Sequence, residues 1–225
     1  MNLTARVIKP VFHLLAGPNG AGKSTLYRAL VASGGISSQL EFVNADLYEQ
    51  SHLRHLTDAQ KRSEAARKWA DSRREALLHA SVGFVSETVF SHESKLALIT
   101  QAQALGFHVV LYVVALDDPQ RLLARVKQRV REGGHDVPAQ RILQRYPRTM
   151  ANLKKAVRLA DLAFVYEAAD VEQGAHLLLA LCEREGTHVL VNSPPAWAVS
   201  LLGQQVIPAE STTAIPPTDP FRNAT

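Results

Sequence analysis

The stretch His13-Leu14-Leu15-Ala16-Gly17-Pro18-Asn19-Gly20-Ala21-Gly22-Lys23-Ser24-Thr25 decides the fold: an apolar run feeds a glycine-rich turn that opens a helix. Residues 17–24 fill every position of the phosphate-binding pattern G-x-x-x-x-G-K-[ST]. In that pattern Gly17, Pro18, Asn19, Gly20, Ala21 and Gly22 curl so that successive amide N–H groups point inward at a phosphate. Lys23 reaches the β- and γ-oxygens, and Ser24 supplies a hydroxyl to Mg²⁺. From Thr25 onward Leu26, Ala29 and Leu30 share one helical face, so the phosphates sit at a helix N-terminus whose dipole favours anions.

Working outward, the pattern predicts a strand at Val11–Ala16 and a helix over 23–31, ended by Ser33-Gly34-Gly35. A short β-rich stretch at 40–46 ends in Asn44 and Asp46. Carboxyl ends of parallel strands converge on the ligand crevice, which delivers both residues beside the glycine-rich loop. Residues 57–80 read as a long helix with Thr57-Asp58-Ala59-Gln60 as its capping box, and Arg67, Arg73 or Arg74 could face an anionic substrate. Residues 82–88 form a buried strand ending in Ser86-Glu87-Thr88, and 94–105 a helix stopped by Gly106. Residues 107–116 are the most apolar run, short and β-rich, hence a central parallel strand.

Asp117-Asp118-Pro119 starts a basic helix, and a second basic helix covers 141–157. Joined through Gly133-Gly134, the two make a mobile, cationic lid of the kind that excludes water during phosphoryl transfer. Residues 161–166 are the last central strand and 167–170 a loop that could lie by a nucleotide base. Two β-runs at 175–182 and 187–191 make a terminal hairpin at the sheet edge, and Pro194-Pro195-Ala196-Trp197 ends the domain. The expectation is an α/β fold: a P-loop NTPase-type, doubly wound, mostly parallel sheet with a helical lid and a C-terminal β-hairpin. It spans 1–202, followed by a Pro/Thr/Ser-rich, disordered tail at 203–225.

Composition narrows the function. A single cysteine, Cys182, excludes an internal disulfide framework and a Cys-rich zinc site, and fits a core position in a cytoplasmic protein. The net charge of +4 is mild and spread over helices, which argues for an anionic-substrate pocket and against a nucleic-acid surface. The apolar stretch before the loop is too short for a signal or a membrane span.

A phosphate loop alone permits motor work, GTP switching or kinase chemistry. No hydrophobic run ending in Asp-Glu and no Asn-Lys-x-Asp is present, whereas Asp46, Glu87 and an arginine lid are. Transfer to a hydroxyl needs a carboxylate for the acceptor, Mg²⁺ across the phosphates and cations on the γ-phosphoryl, which points to a small-molecule kinase. Each carboxylate has a structural alternative. Asp46 could cap the turn after its strand, and Glu87 could be an edge residue or an ion-pair partner. A polynucleotide or other metabolite kinase, and a non-catalytic P-loop regulatory module, are the rival functions.

Residues 17–25, Val43-Asn44-Ala45-Asp46, Phe84-Val85-Ser86-Glu87-Thr88, residues 125–130 with Gly133-Gly134-His135-Asp136-Val137-Pro138, Arg145-Tyr146-Pro147-Arg148 with Asn152-Leu153, and residues 160–166 together resemble the zeta toxin family, in its short bacterial branch. The resemblance implies ATP- or GTP-dependent phosphorylation of a nucleotide sugar such as UDP-N-acetylglucosamine. It also implies that Lys23 and Ser24 bind phosphate and Mg²⁺ and that Asp46 is the base on the acceptor hydroxyl. Asn44, Glu87 and Thr88 then touch the acceptor, with Glu87 also near the metal. Arg129 is a γ-phosphate arginine and Arg145 the choice for a second, with Arg131 close behind. A separate antitoxin chain is the implied protein partner. Asp117 stands where the toxins have a threonine, and Glu167-Ala168-Ala169 where many relatives have Asp-Asn-Ser.

Overall fold

Along Val11–Ala16 (β1) burial is continuous from Phe12 onward, with Phe12 and Leu14 in one core and Leu15 in another, so this strand is covered on both faces. The computed structural model describes residues 9–132, 137–170 and 175–203. After β1 come α1 (Lys23–Ala32), β2 (Glu41–Val43), α2 (Ala45–His52), α3 (Ala59–His79), β3 (Phe84–Thr88), α4 (Ser94–Ala104) and β4 (His108–Ala115). The chain continues with α5 (Pro119–Arg131), α6 (Ala139–Leu159), β5 (Leu162–Asp170), β6 (Ala175–Glu183), β7 (Thr187–Val189) and α7 (Ala196–Leu202). One sheet of order β2-β3-β1-β4-β5-β6-β7 results, parallel through β5 and antiparallel at β6 and β7.

Helices cover both faces. Phe12, Phe84 and Leu111 pack against Leu77 of α3, Ile99 of α4, Leu153 of α6 and Trp197 of α7. On the other face Leu15, Val85 and Tyr112 pack against Leu26 of α1, Leu122 of α5 and Ile142 of α6. Helix α6 therefore passes from one face to the other, Ile142 in one core and Leu153 in the second. Its intervening residues Arg145 and Arg148 open on a cleft at the carboxyl edge of the sheet. Two side-chain bonds fix that passage: Tyr146 Oη donates to the Leu116 carbonyl (2.8 Å), and buried Asn152 donates to the Phe90 carbonyl (3.1 Å).

Several local expectations are corrected. The long helix is capped by Asp58, whose carboxylate accepts from the Gln60 and Lys61 amides, and not by Thr57. An unpredicted helix, α2, follows Asn44, so the stretch at 40–46 is a three-residue strand plus a cap and a first helical turn. Residues 167–170 are strand and not loop, because Tyr166 and Glu167 pair with Leu178 and Leu177 and, past an irregularity, Asp170 pairs with Ala175. The double proline at 194–195 does not end the domain; Pro195 caps α7, which buries Trp197, Ala198, Leu201 and Leu202. The Gly133-Gly134 hinge, His135 and Asp136 lie outside the described residues, as does the expected tail beyond Gly203.

Candidate active site

Between β1 and α1 the loop is held by close backbone contact. A Cβ on Gly17 would lie 2.0 Å from the Val114 carbonyl oxygen, and one on Gly20, at φ +81°, 2.6 Å from that of Leu122. The turn is thereby wedged between β4 and α5. Gly22 caps α1 in a left-handed conformation, without a side-chain cap and with no acidic residue in the first turn. The first amides of α1 thus carry no acidic competitor for an anion.

Glu87 is the hub. The pairings Leu15↔Glu87 and Val43↔Ser86 bring the carboxyl ends of β1, β2 and β3 level. Ser24 Oγ donates to Glu87 Oε2 at 2.9 Å, Asn44 Nδ2 donates to the same oxygen at 3.0 Å, and Lys23 Nζ lies 3.6 Å from Oε1. Lys23, almost wholly buried, also donates to the Pro18 carbonyl at 3.1 Å. Burial pushes the Lys23 ammonium below its ordinary value; Glu87 and Asp46 pull it back up, and Arg129 adds to the lowering. Asn44 Oδ1 accepts from the Leu47 amide (3.1 Å) and caps α2. Capping is therefore the work of Asn44, and Asp46 in the first turn is left to face a cleft.

Two clefts meet here. The first, about 880 Å³, runs between the loop with α1 and the length of α5, with Gly22, Ser24, Thr25, Arg121, Arg125 and Arg131 among its walls. The second, about 540 Å³, lies between α2, α3, the β3–α4 connection and α6, and takes in Asn19, Asp46, Arg67, Thr88, Arg145 and Arg148. Lys23, Glu87 and Arg129 line both. Of the two arginines considered beside Arg129, Arg131 opens on the first cleft and Arg145 on the second, where Asp46 lies. Burial and the like charges of Arg141, Arg148 and Arg67 lower Arg145, against the pull of Asp46.

Of the three arginines singled out on α3, Arg67 and Arg74 reach the second cleft. Arg74 is buried, donates to Ser86 Oγ at 3.2 Å and pairs with Asp71, which also holds Lys95 at 2.8 Å. Arg73 points elsewhere and makes a two-pronged bond to Glu41 at 2.7 and 2.6 Å. Sequence reasoning gave no role to Arg28 or Lys95, whose signal was only a basic residue on a helix, while Arg121, counted only as part of the basic lid helix, lines the first cleft. Phe90, buried in the wall of the second cleft, has φ +64°, a conformation that costs about 1–3 kcal/mol unless its surroundings hold it.

A complete phosphate loop, a parallel sheet wound on both faces and two basic clefts meeting at the loop lysine are now established, and the family model "Zeta toxin" matches residues 2–190. The chain belongs to the zeta toxin family. Among solved structures, this zeta toxin family member is similar to one from the PezAT chromosomal toxin–antitoxin system of Streptococcus pneumoniae. That likeness has 16% identity and a TM-score of 0.57, and covers 75% of this chain and 70% of that one. It is also similar to the AvrRxo1-ORF1:AvrRxo1-ORF2 complex solved with sulphate ions, at 18% identity and a TM-score of 0.60 over 82% of this chain. This chain spans 62% of that one's length. The same complex solved with ATP gives 18% identity and a TM-score of 0.55, covering 82% of this chain and 61% of that one. Comparison with curated proteins finds no match. At these identities the structural likeness concerns the fold alone. Among the described residues no helix is long and apolar enough to cross a membrane.

Proposed function

We propose that this zeta toxin family member is a kinase that transfers the γ-phosphoryl of ATP, or GTP, to a hydroxyl of a small anionic acceptor, a nucleotide sugar such as UDP-N-acetylglucosamine. The observation that carries the reading is the sharing of Lys23, Glu87 and Arg129 by the two clefts, since a donor on one side and an acceptor on the other then meet at those three side chains. Arg67, Arg74, Arg145 and Arg148 in the second cleft support an acceptor that itself carries phosphate.

In this reading the loop amides and Lys23 hold the β- and γ-phosphates, and Arg129 faces the charge that shifts toward the leaving oxygen. Asp46 accepts the proton of the attacking hydroxyl, and Asn44, Glu87 and Thr88 shape the ground on which that hydroxyl rests. Ser24 Oγ and Glu87 Oε2, both hard oxygen donors 2.9 Å apart, suit Mg²⁺, which takes one or two protein oxygens and completes its shell with phosphates and water. Bound there, the ion supplies neutralisation of phosphate charge. Asp117, where this chain departs from the resemblance, is the place at which acceptor preference would differ. A separate antitoxin protein as partner, and a cytoplasmic setting, complete the reading; the toxin–antitoxin context of the PezAT structure supports the former.

The test is incubation with γ-labelled ATP and Mg²⁺ against UDP-sugars, other small hydroxyl compounds and 5′-hydroxyl oligonucleotides. Asp46→Asn should lower transfer by about 10²–10⁴-fold while ATP affinity stays within about twofold. Parent-level transfer by Asp46→Asn would remove the base assignment, and label appearing only on oligonucleotides would replace the acceptor class.

A further inference from the structure

Strand β5 runs beside β4 only as far as the pairing Ala115↔Glu167, yet β5 and β6 continue beyond it. The described ends of these two strands therefore lie past the last parallel pairing, at the carboxyl edge of the sheet where the phosphate loop lies. Each strand sends one contact into the walls of the first cleft. From β6, His176 Nε2 lies 3.1 Å from the carbonyl oxygen of Gly22, 154 residues away in sequence. On β5, the Ala168 carbonyl accepts from Arg125 Nη2 at 2.9 Å, and Arg125 stands on α5 one turn before Arg129.

We propose that the described ends of β5 and β6, through Ala168 and His176, are part of the nucleotide site and that His176 is a positioning residue for the phosphate loop. The inference rests on the reading of residues 17–24 as a nucleotide cradle. A carbonyl oxygen only accepts, so Nε2 is the ring nitrogen that carries the hydrogen. The Gly22 carbonyl and the Lys23 amide belong to one trans-planar peptide and point in opposite directions; holding the carbonyl therefore aims the N–H. That N–H is among the first amides of α1, which have no acceptor within the helix. Gly22, at φ +91°, is the N-cap of α1, and its carbonyl already accepts the Thr25 and Leu26 amides at 3.0 Å each; His176 adds a third donor, from outside the helix. A donor on the carbonyl also polarises the peptide and strengthens the amide as a donor to phosphate. Through the Ala168 carbonyl and Arg125, β5 meanwhile ties down the helix that bears Arg129. His176 acts through the loop and not by touching phosphate.

The experiment is titration of the full chain with a non-hydrolysable ATP analogue and Mg²⁺, with thermal midpoints recorded for each variant. His176→Met removes the donor and should weaken binding about tenfold, the size of one net hydrogen bond. His176→Gln, whose amide nitrogen falls where Nε2 was, should bind within about twofold of the parent. His176→Asn, too short to reach, repeats the His176→Met result if that variant folds poorly. Parent-level affinity of His176→Met and His176→Asn overturns the proposal, and so does equal weakening of Met, Asn and Gln variants, which would make the effect one of packing. Lys23→Ala is the control for the reading beneath it. If Lys23→Ala binds as tightly as the parent, the cradle itself is wrong and the positioning role falls with it.

Discussion

Replacing Glu87 with glutamine isolates the charge at the junction of the two clefts. Ser24 and Asn44 both donate to Oε2, and an amide oxygen can accept the same two bonds, so the shape and the hydrogen bonding are kept. What is lost is the attraction between the carboxylate and Lys23 Nζ at 3.6 Å, with side chains 13% and 6% exposed. With an effective dielectric constant of about 20, that separation corresponds to roughly 5 kcal/mol. Removing one member of a buried pair typically costs about 3–5 kcal/mol, because the other is left uncompensated. Lys23 has an escape, since burial already lowers its pKa and it can release its proton, and Asp46 supplies some compensation. We therefore expect Glu87→Gln to lose about 3 kcal/mol, or about 6–12 °C in thermal midpoint for a chain of this size.

The same reasoning fixes what nucleotide should do. Phosphate oxygens take over the neutralisation of Lys23, so the stabilisation by ATP should be larger in Glu87→Gln than in the parent. The assay is thermal unfolding with and without ATP in a chelator, so that no metal contribution of Glu87 enters. A ligand-free midpoint within about 2 °C of the parent would refute the charge argument. So would an ATP increment no larger than the parent's.

Three further outcomes follow from the geometry. Gly17→Ala drives a Cβ to within 2.0 Å of the Val114 carbonyl oxygen and should cost at least about 3 kcal/mol in urea unfolding; Gly34→Ala, with open space around it but φ +80°, should cost about 1–2 kcal/mol. His13, buried and bonded to Tyr112 Oη at 3.1 Å, has its pKa lowered to about 4 by burial and by His108. The unfolded chain therefore binds the extra proton first. The contribution is intact above pH 6.5 and lost as pH falls toward 4, up to about 3 kcal/mol; His13→Phe should flatten that part of the stability–pH curve. Arg73→Ala, at an exposed pair, should leave the midpoint and phosphoryl transfer unchanged, whereas Arg74→Ala, which removes a buried guanidinium and its bonds to Ser86 and Asp71, leaving Ser86 to the Val43 carbonyl and Asp71 to Lys95, should lower the midpoint measurably.

How much of this was legible depended on distance along the chain. The phosphate loop is local, and its motif named each of its residues. Asn44, Asp46 and Glu87 were found at one remove, because a parallel sheet obliges strand ends to converge whatever the loops do. Helix α2 was missed because its signal is a cap, Asn44, read as the end of a strand. The α3 arginines could have been separated: Arg67 and Arg74 stand seven residues apart, two turns on one face, and Arg73 lies off it. Residues 167–170 have no strand composition and become strand only through pairing with β6, and nothing near His176 in sequence points to Gly22. The legible pieces thus give a phosphate loop and a set of strand-end carboxylates, while their meeting depends on long-range packing. Lys23, Glu87 and Arg129 come from α1, β3 and α5, and they line a common junction because Leu15 pairs with Glu87 and because a glycine at 20 lets the loop lie against α5. A motif can specify a nucleotide cradle; the register of the sheet decides what it is placed beside.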